Sequence, residues 1–195
     1  CGTDTGKQRK HISYAVTGCG SVNFRVINAF IPIFWTRELG TSPEQGSFAL
    51  TVFFSIGIFM TYIGGLLGDK YGPIKIIRLS LLVWLPAMFL LTEVPTFSPL
   101  IMMPVAYLLL LMIGAAKAIS YSPVIVLGQT YLAKSIGFAS GITLGVSQTI
   151  GGIIAPVVGN LADTYSLPTA MMTLVPFLVM GLGASLILKD PKKLQ

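Results

Sequence analysis

Two basic residues, Arg25 and Lys117, stand inside long apolar stretches of this 195-residue chain. A charge at the centre of a bilayer costs about 2.5–3.5 kcal/mol on insertion scales, so each is expected to face a bundle interior or a cavity. The spacing agrees. Thr17, Ser21, Arg25 and Asn28 recur at steps of three and four, which is one helix face. Lys117, Ser120 and Tyr121 form a comparable face. No Asp or Glu lies deep in any apolar run, so an anionic group bound from outside is one way to satisfy two cations. The plain alternative for each is a snorkelling side chain or a contact with backbone carbonyls. Gln148 and Gln129 add amides that serve equally as interhelical glue or as ligands. Asn23 points away from the Arg25 face and stays outside the set. The candidate cavity lining is therefore Arg25, Asn28, Ser21, Lys117, Ser120, Tyr121 and Gln148.

Little else in the sequence is equipped for a reaction. An enzyme would need a nucleophile with a base, paired carboxylates or a metal cluster. The single histidine, His11, sits at the edge of an apolar run, and Asp69 and Asp163 fall on opposite sides of the expected membrane. No Gly-x-x-x-x-Gly-Lys-Ser/Thr string is present, so ATP drive is not supported. The sequence thus predicts no catalytic residue, no metal site and no cofactor. Cys19 lies within an apolar run, which argues against a disulfide with Cys1. A chain that starts at Cys1 without Met, and without a leader pattern, is expected to be a piece of a longer one. A lipid-modified Cys1 would need an external N-terminus, against the charge distribution described next.

The elements that must position these residues are runs long enough to cross a bilayer, which takes about 20 apolar residues as a helix. Six such runs are expected, at about 12–35, 47–67, 74–91, 100–131, 137–161 and 167–188. Ser42-Pro43-Glu44 is a helix-start signal for the second. The fourth is too long for one straight perpendicular span, which predicts tilt and a kink near Pro123. Residues 1–10 read as a tail or linker, 11–189 as a six-helix transmembrane domain, and 190–195 as a second tail. Six spans put both termini on one side. That side then holds Lys7, Arg9, Lys10, Lys70, Lys75, Arg78, Lys134, Lys189, Lys192 and Lys193, and the other holds Arg37. Ten basic residues against one places both ends in the cytoplasm by the positive-inside rule. The spans divide three and three, with one intramembrane cation on the first of each triplet, as in the inverted repeats of many membrane carriers.

Composition points the same way. The chain is 53% hydrophobic and 10% charged, with a mean hydropathy of +0.79. A soluble domain carries about 25% charged residues, so lipid must be the solvent for most of this chain. The net charge of +6 sits in loops and tails, with no basic stripe interleaved with aromatics, and nucleic acid is excluded as a partner. The second and fifth runs carry small-residue faces, Gly57, Thr61, Gly64 and Gly68 on one and Gly137, Gly141, Gly145, Gly152 and Gly159 on the other. Such faces let helices meet backbone to backbone.

Between the second and third runs lies Gly64-Gly65-Leu66-Leu67-Gly68-Asp69-Lys70-Tyr71-Gly72-Pro73-Ile74-Lys75. It reads as a tight hairpin with its charges at the water boundary. The order of Gly65, Asp69, Lys70, Gly72 and Lys75 resembles the loop signature of the major facilitator superfamily of transporters. It departs from that signature where Pro73 and Ile74 intervene before the basic residue. Further strings follow in order: Ser122-Pro123-Val124-Ile125-Val126-Leu127-Gly128-Gln129, Gly137-Phe138-Ala139-Ser140-Gly141, Gly151-Gly152-Ile153-Ile154-Ala155-Pro156 and Gly159-Asn160-Leu161-Ala162-Asp163. The series resembles the C-terminal six helices of fosmidomycin-resistance-type exporters within that superfamily.

The resemblance implies an all-α integral membrane fold, with six transmembrane helices forming half of a twelve-helix molecule. It implies a cavity lined by the first and fourth spans and a peripheral third and sixth. It implies proton-driven antiport of a small molecule by alternating access, with Asp69 in a charge network that shuts the cytoplasmic side. Fosmidomycin is a phosphonate, and two cavity cations suit an anionic compound. No carboxylate within the spans is available to carry a coupling proton, so coupling would fall to the missing half or to another group. The partners expected are the small-molecule substrate, the bilayer of the inner or plasma membrane, and an N-terminal six-helix half or a second copy. A non-transporting scaffold or receptor is the rival of another class, and it has no need of buried cations.

Overall fold

The computed structural model describes residues 20, 22–131, 141, 145 and 147–187. Both expected tails, Ser21, and parts of the first and fifth expected spans lie outside the described residues. Among the described residues the chain is helical, with no strand. Four stretches are long and apolar enough to cross a bilayer: Pro43–Tyr71, Pro73–Thr96, Leu100–Leu127 and Leu167–Ile187.

Helix α1 covers residues 22–37 and buries Val26, Ile27, Phe30, Ile31 and Phe34, the spacing of one helical face. It stops at Gly40, whose φ of +63° suits a residue without Cβ. Thr41 then folds back, its amide (3.2 Å) and hydroxyl (2.8 Å) both donating to the Trp35 carbonyl. Helix α2, Pro43–Tyr71, begins as the sequence predicts: Ser42 caps it by accepting from the Gln45 amide, and Pro43 occupies the first turn, where its missing N–H costs nothing.

The hairpin after α2 is tighter than the sequence suggests. Helix α3, Pro73–Glu93, starts two residues after α2 ends, so Gly72 alone is non-helical, with φ +95°. Asp69 and Lys70 belong to the last turn of α2 and Lys75 to the first turn of α3. Pro73 explains both the abrupt start and the departure from the loop signature, because a proline at the first helical position supplies the helix φ in advance. A short 3-10 turn, Val94–Thr96, leads to α4, Pro99–Tyr131. This helix of 33 residues is unbroken through Pro104 and Pro123. At 1.5 Å per residue it is roughly 50 Å long, well beyond the hydrocarbon core of about 30 Å.

Helix α5, Ser147–Thr164, is followed by α6, Leu167–Met172, and α7, Val175–Ile187. The sixth run is one stretch long and apolar enough to cross a bilayer, Leu167–Ile187, with a local irregularity at Thr173-Leu174. The cause is Pro176, which has no N–H to return to Met172. The turn is closed by three-residue bonds instead, Thr173 to Ala170 at 3.2 Å and Leu174 to Met171 at 3.1 Å, with the Thr173 hydroxyl donating to the Ala170 carbonyl at 2.6 Å.

The core is built where α4 packs on α2 and α3, and where α3 meets α6 and α7. Trp84, Met88 and Leu91 of α3 are fully buried with Leu110 and Ile113 of α4 and Met171 and Leu174 of the sixth run. The opposite side of α3 leaves Leu79, Leu82, Phe89 and Leu90 exposed, the surface a peripheral helix turns to lipid. The glycines of α2 seat it on α4. A Cβ at Gly64 would lie 2.6 Å from the Ile119 Cα, and one at Gly68 would lie 3.0 Å from the Pro123 ring. Of the ladder on the fifth run, a Cβ at Gly159 would lie 3.7 Å from the ring of Phe30. Nothing described lies within 4 Å at Gly141, Gly145 or Gly152.

Two polar contacts tie the ends of the bundle. Arg37, at the end of α1, pairs with Asp163, at the end of α5, at 3.3 Å. Arg78, one turn into α3, donates to the Ser185 carbonyl from Nε at 3.0 Å and from Nη2 at 2.7 Å, and to the Leu186 carbonyl at 3.2 Å. The guanidinium thus supplies charged donors to two carbonyls in the last described turn of α7.

Candidate functional site

Lys117 lies midway along α4 on a face that also carries Gly114, Ala118 and Tyr121. Gly114 lets α2 come close: a Cβ there would sit 3.0 Å from Ile56 and 3.1 Å from the ring of Phe53. The Lys117 stem enters a cleft of about 300 Å³ between α1, α2 and α4. Its ammonium is 5.1 Å from the ring centroid of Phe24 and 5.9 Å from that of Tyr121. Phe24, Phe53, Phe54 and Ile58 complete the apolar walls. Among the described residues no acidic side chain lines the cleft. A cation so placed is held by ring quadrupoles, which supply no hydrogen-bond acceptor of the strength a carboxylate or phosphate provides.

The other residues singled out in the sequence are distributed unevenly. Tyr121 joins Lys117 in the cleft. Ser120 is buried and turned into its own helix, its hydroxyl donating to the Lys117 carbonyl at 2.9 Å and the Ala116 carbonyl at 3.3 Å. Arg25 is exposed and is not among the residues lining the cleft, where Phe24, one position earlier, represents α1. Asn28 lies a turn further on, and its Oδ1 is buried without a hydrogen-bond partner among the described residues. Ser21 and the side chain of Gln148 lie outside the described residues. Asn23 is fully buried. The cleft therefore brings together Lys117 and Tyr121 with aromatic residues that a search for polar groups passes over. The signal available in the sequence was that Phe54, Ile58 and Thr61 on α2, like Gly114, Lys117 and Tyr121 on α4, recur at steps of three and four, the spacing of one helix face.

The loop signature forms a second cluster at one end of α2. A Cβ at Gly65 would lie 3.4 Å from the Ser122 hydroxyl, so the hairpin string and the Ser122-Pro123 string, far apart in sequence, pack together. Asp69, Lys70 and Lys75 are exposed, and the Lys70 ammonium lies 5.3 Å from the Tyr71 ring.

Helices of this length and apolarity, joined by that hairpin, define a multi-span membrane protein. A sequence profile of the Major Facilitator Superfamily matches residues 14–195. The chain belongs to this family of membrane transporters. It is 32% identical over 151 residues, 77% of this chain, to the uncharacterized MFS-type transporter YfnC of Bacillus subtilis, of which that stretch is 35%. It is 28% identical over 141 residues, 72% of this chain, to the fosmidomycin resistance protein of Escherichia coli, of which that stretch is 33%. The chain spans about a third of the length of the curated relatives it matches.

Proposed function

We propose that this chain is a six-span half of a secondary transporter, which exports a small organic anion from the cytoplasm by proton-coupled alternating access. The observation that carries the reading is Lys117, a cation lodged among aromatic rings in a cleft that, among the described residues, no acidic side chain lines. Similarity to the fosmidomycin resistance protein makes a phosphonate of that kind the first compound to assay. The spans are those read from the sequence, in the inner or plasma membrane with both termini cytoplasmic. Two contacts support this arrangement. A six-span count puts the ends of spans one and five on the same, outer side, and the Arg37–Asp163 pair is consistent with a shared side. It puts the start of span three and the end of span six on the inner side, and the Arg78 contacts are consistent with that.

The partner is an N-terminal six-helix half, supplied by chain of the extra length the relatives possess; a second copy of this half is the alternative arrangement. Asp69, Lys70 and Lys75 at the inner end of the hairpin serve as the closing charge network. Arg25, on the exposed face of α1, contributes a second positive charge to the cavity between halves. The coupling proton is carried outside these spans, which hold no carboxylate.

The test uses the full-length protein, expressed in cells that lack their own copy, with accumulation of a panel of small organic anions, fosmidomycin and an arenecarboxylate among them, as the readout. Lys117→Gln and Arg25→Gln are each expected to abolish most of the export. Export that survives both changes would sink the anion reading. Export that persists after the proton gradient is collapsed would remove proton coupling and leave the anion site standing.

A further inference from the structure

We infer that the Lys117 cleft binds a monoanion with an aromatic body, an arenecarboxylate in chemical class, in preference to a small hydrated anion such as an alkylphosphonate. The inference rests on the reading of this cleft as the transported anion's site, and it narrows the substrate within that reading.

The first ground is the wall. Phe24 stacks on Phe53 with centroids 6.3 Å apart and planes at 29°, and meets Phe54 edge-on at 6.3 Å and 83°. Phe53 and Phe54 are edge-on at 5.7 Å. Phe54 and Ile58 keep 47% and 74% of their surface exposed, so these groups have area left to cover. A flat ring laid on this wall gains the offset and edge-on contacts that aromatic pairs prefer.

The second ground is the supply of donors. A phosphonate offers three oxygens and about two charges, and in proteins such groups are met by several donors or by arginine forks. Among the described residues the cleft has one ammonium and the Tyr121 hydroxyl. Its remaining polar lining group, Thr61, already donates to the Gly57 carbonyl within its own helix at 2.8 Å. One cation and one hydroxyl match a carboxylate, whereas a phosphonate would be left with unmet oxygens in apolar surroundings. The third ground is size: about 300 Å³ is at the lower end of ligand pockets and suits a body of one or two rings.

The experiment is equilibrium titration of the full-length protein in lipid nanodiscs, with empty nanodiscs as the partition blank. Three probes are used: 1-naphthoate, its neutral counterpart 1-naphthalenemethanol, and methylphosphonate. Naphthoate is expected to bind at least about tenfold more tightly than either of the others, and Lys117→Gln to weaken it by about tenfold or more. Lys117→Arg, which keeps the charge, is expected to retain most of the binding. The probe series on the unaltered protein decides the matter even if a variant does not fold. Methylphosphonate binding as tightly as naphthoate would overturn the aromatic preference and leave the anion transporter intact. Naphthalenemethanol binding equally well, unaffected by Lys117→Gln, would make the cleft a lipid-facing groove and overturn the inference. Binding of no anion at all would overturn both.

Discussion

At Gly64 a single methyl group is expected to matter more than most whole side chains. The backbone of Ile119 occupies the space, with its Cα 2.6 Å and its carbonyl carbon 2.7 Å from where a Cβ would be. A backbone cannot rotate aside as a side chain can, so Gly64→Ala must push α2 off α4. We expect a loss of about 1–3 kcal/mol, seen as a lower unfolding midpoint of the full-length protein in detergent. Gly57→Ala is the control, since a Cβ there would stand 4.0 Å from Ala118, an ordinary contact, and its midpoint is expected to move little. The small-residue face was legible in the sequence because small side chains at steps of three and four have few other uses. What the spacing does not carry is the partner, and α4 became known as that partner only in three dimensions. The cleft shows a similar limit. A search by polarity finds Arg25, yet Phe24 faces Lys117, because neighbours on a helix are separated by about 100° of rotation. Nothing in a charge pattern announces a phenylalanine.

Among the elements, the cap at Ser42-Pro43 was readable, whereas the irregularity at Pro176 and the long-range contacts were not. Ser42-Pro43 starts α2 as expected, since the cap is a local hydrogen bond. Pro176 disturbs the sixth run by an equally local cause, but a hydropathy count passes over it because proline interrupts hydrogen bonding without interrupting apolarity. The role of Arg78 could not be read at all: its acceptors lie 107 and 108 residues away. It appeared in the sequence as one basic residue among ten on its side of the membrane. Arg78→Ala strips the Ser185 and Leu186 carbonyls of their charged donor and is expected to cost about 1–3 kcal/mol. The measurement is amide hydrogen exchange across residues 175–187, which should quicken while exchange in α2 stays as it was. Arg78→Lys should recover part of the loss, because an ammonium is a single point donor where the guanidinium is a fork.

For the whole molecule the decisive quantity is which ends share a side. Single cysteines replacing Arg37 or Asp163 are expected to react with a membrane-impermeant thiol reagent added outside intact cells. Those replacing Lys70 or Lys75 should react only after the cells are opened; labelling of all four from outside would reject the six-span arrangement. The Arg37–Asp163 pair itself is expected to add less than about 1 kcal/mol, because both side chains are more than half exposed. Asp163→Asn should therefore leave the unfolding midpoint nearly unchanged. The overall apolar plan was the most legible level of all, since lipid selects composition over every span at once. The contact between Arg78 and the end of α7 bears on how the molecule is made. Synthesis delivers Arg78 to the membrane more than a hundred residues before Ser185 exists. Through that interval the Ser185 and Leu186 carbonyls are not there to accept from it, and the flank of α3 that α7 covers stays open to lipid. The helix that carries Ser185 then covers that flank and brings the carbonyls to which Arg78 donates, so the contact that satisfies the guanidinium also helps to cover the core.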